Sequence, residues 1–190
     1  MVNIFDKCKK DILSKKDKSS RKEWDKRIKG LCERINKMKD YYTTSSCSGR
    51  VLLIIDSDNK KPGLFLWVSH DLISFKELKE ALENVNKLGL IKFKQEPCIL
   101  HVAARILQDA QVLLDKAKLA GWKKSGIIAS GKRFIIEVIS TEKLELFVIN
   151  DRKILVDDDY LKLIVKKSNE NLKKSWLKIK RLEKLLKSKN

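Results

Sequence analysis

Apolar residues at Trp24, Ile28, Leu31, Ile35 and Met38 recur at steps of three and four, the spacing of one helical face. They predict an amphipathic helix, preceded by a short helix over 3–13 and the polar break KKDKSSRK. After the small polar loop TTSSCSGR (43–50) the pattern changes. The short apolar runs 51–55 and 64–68 read as strands joined by the turn-rich DSDNKKPG. Ser74 followed three residues later by Glu77 is a capping box, predicting a helix that runs toward Leu88 and stops at Gly89. Strands follow at 90–93 and 98–103, and a second helix over about 107–120 ends on Gly121. Residues 127–129 and 133–139 flank the turn SGKR as a hairpin, and 144–149 is a further strand.

This middle region repeats a plan. Strand 64–68, a helix and strand 90–93 are echoed by strand 98–103, a helix and strand 127–129, and RVLLIID resembles RFIIEVI. The pattern predicts two related β-α-β halves sharing one mixed, mainly antiparallel sheet in an α+β fold. Leu161, Val165, Leu172, Ile179, Leu182 and Leu186 fall on a heptad frame completed by Ser168 and Ser175. They predict one long helix whose two polar seam positions favour packing on its own sheet over a dimeric coiled coil. The expected organisation is a single domain over 1–190: a basic helical segment 1–40, a core 41–156 and a long basic helix 157–190.

Length and composition narrow the class. The 190 residues, 43% hydrophobic, suffice for a continuous core, and no apolar run approaches the roughly 20 residues that cross a bilayer. MVNIFDKCKK carries charge where a signal peptide needs an apolar stretch, so a soluble cytoplasmic protein is expected. Cys8, Cys32, Cys47 and Cys98 form no CxxC pair and there are two histidines, so reduced thiols and no structural metal are expected. Charge is the positive clue. The net charge is +18; residues 1–40 hold 14 basic and 7 acidic side chains, and residues 160–190 hold 11 and 2. A field concentrated in the two ends suits a polyanion such as RNA, the alternative being a lysine-rich solvated surface.

Candidate chemistry gathers in TTSSCSGR, with five hydroxyls, a thiol, a glycine and an arginine before a buried strand. Small side chains let backbone amides approach a ligand, and Arg50 offers a planar fork for phosphate or carboxylate; the alternative is a turn that merely needs small residues. His70 and His101 occupy corresponding strands of the two halves and are candidates for one cleft. Asp17 and Asp25 bracket a helix start, where capping is the default role. DSDN lacks the later glycine and glutamate of a calcium loop, and Asp157-Asp158-Asp159 reads as a helix cap. The seven glycines never form GxG, which argues against a Rossmann-type nucleotide turn.

DKSSRKEWD (17–25), TTSSCSGR (43–50), WVSHD (67–71), KFKQEPCILHVAAR (92–105), the helix leading to SGI (125–127) and YLKLIVKKSNENL (160–172) resemble, in order, the tRNA wybutosine-synthesizing protein 3 family. The resemblance covers about residues 5–186. It implies a non-Rossmann, S-adenosylmethionine-dependent methyltransferase acting on a ring nitrogen of the tricyclic 4-demethylwyosine-type base at position 37, beside the anticodon of phenylalanine tRNA. On that basis Asp25, His70 and His101 are the candidates for orienting the base or accepting a proton. Ser45, Ser46, Cys47, Ser48, Gly49 and Arg50, with Lys18 and Ser69 from the neighbouring motifs, are candidates for holding cofactor or base. Lys173, Lys174, Lys178 and Lys180 are candidates for the tRNA backbone, and a monomer is favoured. Four positions depart from the family's habit: Lys22 for glycine, Cys98 for an aromatic, Ala104 for cysteine and Phe147 for proline. The rival classes are a non-catalytic RNA-binding module and a small-molecule enzyme with an incidental basic surface.

Overall fold

The computed structural model describes residues 4–14, 25–59 and 62–187. In chain order the elements are α1 (Ile4–Leu13), α2 (Lys26–Lys37), β1 (Tyr41–Cys47), β2 (Arg50–Ile55), β3 (Phe65–Ser69), α3 (Phe75–Glu83), β4 (Leu90–Glu96), β5 (Ile99–Ala104), α4 (Leu107–Leu119), β6 (Gly126–Ala129), β7 (Phe134–Ile139), β8 (Leu144–Asn150), β9 (Lys153–Ile154) and α5 (Asp158–Leu185). The α+β class stands. The strands, however, form two sheets, ordered β1-β5-β7-β6 and β3-β2-β4-β8-β9, and every neighbouring pair is antiparallel.

The single expected sheet is replaced by two, and the strands pass from one to the other at three short links, β1–β2, β4–β5 and β7–β8. Gly49, at φ +100°, adopts the left-handed backbone that turns β1 into β2. Pro97, which has no N–H for a ladder, stands between β4 and β5. Two compact units result, one from Met1–Ser48, Cys98–Thr141 and Ser175–Asn190, the other from Gly49–Pro97 and Glu142–Lys174.

The repeated plan survives as a split β-α-β in each unit. In the first, β5 and β6 run parallel on either side of β7, with α4 connecting them. In the second, β3 and β4 flank β2 in the same way, connected by α3. The echoing segments RVLLIID and RFIIEVI are thus the two central strands.

The first unit's main core joins Ile28, Leu31, Cys32 and Ile35 of α2, Leu100, Val102 and Ala104 of β5, Ile136 and Val138 of β7, and Leu113 and Ala117 of α4 to Ile179 and Leu182 of α5. The other face of its sheet carries a smaller cluster in which Phe5 of α1 meets Tyr42 and Ala103. Trp122 is fully buried and donates its indole N–H to the Lys178 carbonyl, which makes it a core residue. Trp24 lies outside the described residues, and Trp67 is half-buried.

Helix ends follow local chemistry with one exception. The Gly121 N–H donates to the Lys118 carbonyl and the Trp122 N–H to that of Ala117, and Gly121 has φ +99°, the Schellman geometry expected after α4. The capping box of Ser74 and Glu77 is present. The exception is the end of α3. The helix stops at Glu83, five residues before Leu88, because Asn84-Val85-Asn86 are poor helix formers and the Asn84 amide side chain caps the Glu80 carbonyl. Gly89 instead uses φ +91° in a loop where its N–H donates to the Asp151 carboxylate.

The seam of α5 is buried on its own chain at Leu161, Val165, Ser168, Leu172, Ser175, Ile179 and Leu182. Ser168 turns its hydroxyl back to the Ile164 carbonyl, while Ser175 meets Ser140. In the second unit, buried Asn171 donates to the Gln95 side chain at 2.8 Å.

Candidate active site

The segment 43–50 is strand for most of its length and a tight turn only at Ser48-Gly49. Its start is fixed by α2: the Thr43 N–H and hydroxyl both donate to the Asn36 side-chain oxygen. Its end is fixed by Asp25, the N-cap of α2. One Asp25 carboxylate oxygen accepts the Arg27 N–H, and the other accepts the Ser48 N–H at 2.8 Å. Capping is therefore one role of Asp25, and anchoring the loop is the second.

Along β1 the side chains alternate between faces. Ser46 lies across from Leu100 on the core side. There its hydroxyl meets the Cys32 thiol, which burial pushes up to about 11 against that hydrogen bond. Ser45 and Cys47 belong to the opposite face. A bulge at Thr44 sets this alternation, since Thr43 pairs with Val102 and Ser45 with His101.

The Ser45 hydroxyl lies 2.6 Å from His101 Nδ1, and His101 Nε2 lies 2.9 Å from a carboxylate oxygen of Glu137. Ser45, His101 and Glu137 are direct cross-strand partners on β1, β5 and β7. The next rung on that face is Cys47, Ile99 and Ile139. Glu137 was not among the expected site residues. Its signal in the sequence is a lone charge within the apolar strand FIIEVI.

The Ser48 hydroxyl is fully buried and has no hydrogen-bond partner among the described residues. In the second unit, Arg50 Nε donates to Glu96 at 2.6 Å, and the guanidinium lies 5.1 Å from the Phe65 ring centre. That pair occupies one edge of the fork. His70 follows β3, half-buried, in a turn where the Asp71 N–H donates to the Ser69 hydroxyl. Lys18 and Asp17 lie outside the described residues, as does Lys22.

The remaining sequence candidates sort plainly. Asp157 caps α5 by accepting the Tyr160 N–H, and Asp56 pairs with Lys92 at 2.7 Å. Lys173, Lys174 and Lys180 are exposed, whereas Lys178 is half-buried with its methylenes alongside Gly121. Cys98 is buried and its thiol faces the Ser175 carbonyl; Ala104 is buried, and Phe147 is exposed with Lys92 over its ring.

Comparison with known proteins fixes the context of this loop. Residues 7–188 match the family described as Methyltransferase TYW3. The chain belongs to the TYW3 methyltransferase family. One similar relative is "tRNA(Phe) 7-((3-amino-3-carboxypropyl)-4-demethylwyosine(37)-N(4))-methyltransferase 2" of Thermococcus kodakarensis, 39% identical over 78% of this chain and 71% of its own. A Pyrococcus horikoshii methyltransferase of the same name, numbered 1, is 35% identical over 94% of this chain and 93% of its own. Among solved structures, the PH1069 protein from Pyrococcus horikoshii superposes with a TM-score of 0.88 at 32% identity, covering 97% of both chains. As a TYW3 chain with two antiparallel sheets, the protein departs from the doubly wound parallel sheet of Rossmann enzymes, in keeping with its lack of GxG.

Proposed function

We propose that this chain is an S-adenosylmethionine-dependent tRNA methyltransferase that methylates ring nitrogen N4 of the 4-demethylwyosine-type base at position 37 of phenylalanine tRNA. The observation that carries the reading is the family match along residues 7–188, with relatives bearing that activity in their names. The described residues contain no helix long and apolar enough to cross a membrane; the reading places the protein in the cytoplasm, a monomer engaging the tRNA anticodon loop.

The residues present fit a cofactor of this kind. A buried hydroxyl left unpaired costs about 1–3 kcal/mol, and Ser48 carries one, so a ligand atom at the turn would satisfy it. Among the described residues the Nη groups of Arg50 have no hydrogen-bond partner, which leaves the carboxylate-binding part of the fork open. Ser48 in the first unit and Arg50 in the second are each, taken separately, assigned to polar atoms of the cofactor. The bound cofactor supplies a methyl group already activated on a sulfonium.

The protein's own work is then alignment and proton management. Asp25 positions the turn through the Ser48 N–H. No covalent role is needed for Cys47, because direct transfer forms no enzyme-bound intermediate. His70, at the end of β3, is assigned to orienting the base. The test uses radiolabelled methyl donor and tRNA from cells blocked at this step. Incorporation into that tRNA, with none into unmodified tRNA, is expected; no incorporation overturns the reading.

A further inference from the structure

We infer that Glu137, His101 and Ser45 form a proton relay across the sheet, with Ser45 meeting the base, His101 storing its proton and Glu137 acting as a positioning residue. The inference rests on the methyltransferase reading above and names the group that completes the reaction. A neutral ring nitrogen that gains a methyl group and stays neutral must release a proton, so an acceptor has to stand beside it.

The geometry assigns the protons. An ionised carboxylate only accepts, so the 2.9 Å contact to Glu137 places the imidazole hydrogen on Nε2. In the neutral ring Nδ1 is then an acceptor, and the Ser45 hydroxyl donates to it at 2.6 Å. The Ser45 oxygen keeps its lone pairs for a substrate N–H. This is the division of labour of a serine–histidine–carboxylate set, with the two ring nitrogens exchanged.

Three features indicate a built arrangement. The register places the three residues on one rung of three adjacent strands. The bulge at Thr44 brings Ser45, rather than Thr44, opposite His101. On the far side of Glu137 the fourth strand presents Gly126, where an added Cβ would meet nothing within 4 Å. The rung is also reachable: the His101 and Glu137 side chains are 24% and 32% exposed, and Ser45 is exposed. Two charged groups of the packed helix α1 turn elsewhere, Asp6 to Arg105 and Lys9 to the Met38 carbonyl.

The step balances. As the N–CH₃ bond forms and the donor's S–CH₃ bond breaks, the sulfonium leaves as a neutral thioether. The ring N–H proton passes to the Ser45 oxygen while the Ser45 hydroxyl proton passes to His101 Nδ1. The positive charge lost by the sulfonium ends on an imidazolium paired with Glu137.

The experiment compares Glu137→Gln and Ser45→Ala with wild type in single-turnover methylation and in equilibrium binding of tRNA and donor. Nitrogen-15 spectra of the imidazoles, assigned with His101→Gln, accompany it. Expected are dissociation constants unchanged in Glu137→Gln, a rate loss at saturating tRNA of at least about tenfold in each variant, and a wild-type Nε2–H tautomer that becomes mixed in Glu137→Gln. Wild-type rates in either variant, or losses explained by weaker binding, overturn the relay and leave the methyltransferase reading standing. A wild-type protein that methylates no tRNA overturns both.

Discussion

At the scale of the residue, Arg50 is where the proposed ligand-holding loop and a mere turn make different predictions. Its Nε donates to Glu96, while its Nη groups have no hydrogen-bond partner among the described residues. A lysine ammonium can serve Glu96 or a ligand but cannot present a planar fork to both. The Glu96 pair is about one-third exposed on each side, so its loss costs at most about 1 kcal/mol and roughly 2–4 °C in melting temperature for a chain of this size. Arg50→Lys is therefore expected to fold with a melting shift in that range and to lose methyl transfer by more than about tenfold. Turnover and melting measured on one preparation check this, and a fully active variant removes Arg50 from the site.

Residue-level reading of the sequence singled out part of the candidate site. TSSCSGR announced itself by composition, and Asp25 by its place before an amphipathic helix. Glu96 and Glu137 did not, because their roles come from strand register, and no local pattern says which residues lie across a sheet from Arg50 or His101. The role of Ser46 was hidden for the same reason. One step along the strand turns it to the core and Cys32, while Ser45 and Cys47 face away.

At the scale of the element, caps and periods were the legible part of the fold, and the sheet partition was not. The Ser74–Glu77 box appeared where the sequence put it, whereas the end of α3 did not, since Gly89 offered a stop signal that Asn84 pre-empted. A glycine at φ +100° and a proline stand at two of the three passages between the sheets, and breaks inside apolar runs look like turns between neighbours.

The capping box carries a prediction about acid. Hydrogen bonds from Ser74 hold the Glu77 carboxyl below its ordinary value of 4.5. A depressed carboxylate contributes stability above its unfolded value and loses it as pH falls through 4.5 and below. Glu77→Gln keeps the shape and removes the charge, so wild type should melt above the variant at pH 7, and the gap should narrow and close as pH falls below 4.5. Thermal melts of both proteins across that range test it; a gap independent of pH would mean that the charge contributes nothing to the cap.

At the scale of the whole molecule, most of the +18 charge lies in the two ends of the chain, and residues 160–190 carry the denser share. The helix buries a seam of small and apolar residues and leaves Lys173, Lys174 and Lys180 in solvent. Lys173 and Lys180, seven residues apart, share one face of the helix. Lys178 behaves differently: its stem lies along Gly121, within 3.4–3.7 Å of where a Cβ would be, so its replacement disturbs packing as well as charge. The clean test of RNA contact is therefore the triple change of Lys173, Lys174 and Lys180 to alanine, with Lys178 retained. If each lysine neutralises a phosphate, tRNA affinity measured against potassium chloride should show a log–log slope smaller by about 3. Binding should weaken most at low salt, where released counterions contribute most, and donor binding should be unchanged. An unaltered slope would move the tRNA surface away from α5 and toward the other basic segment, residues 1–40.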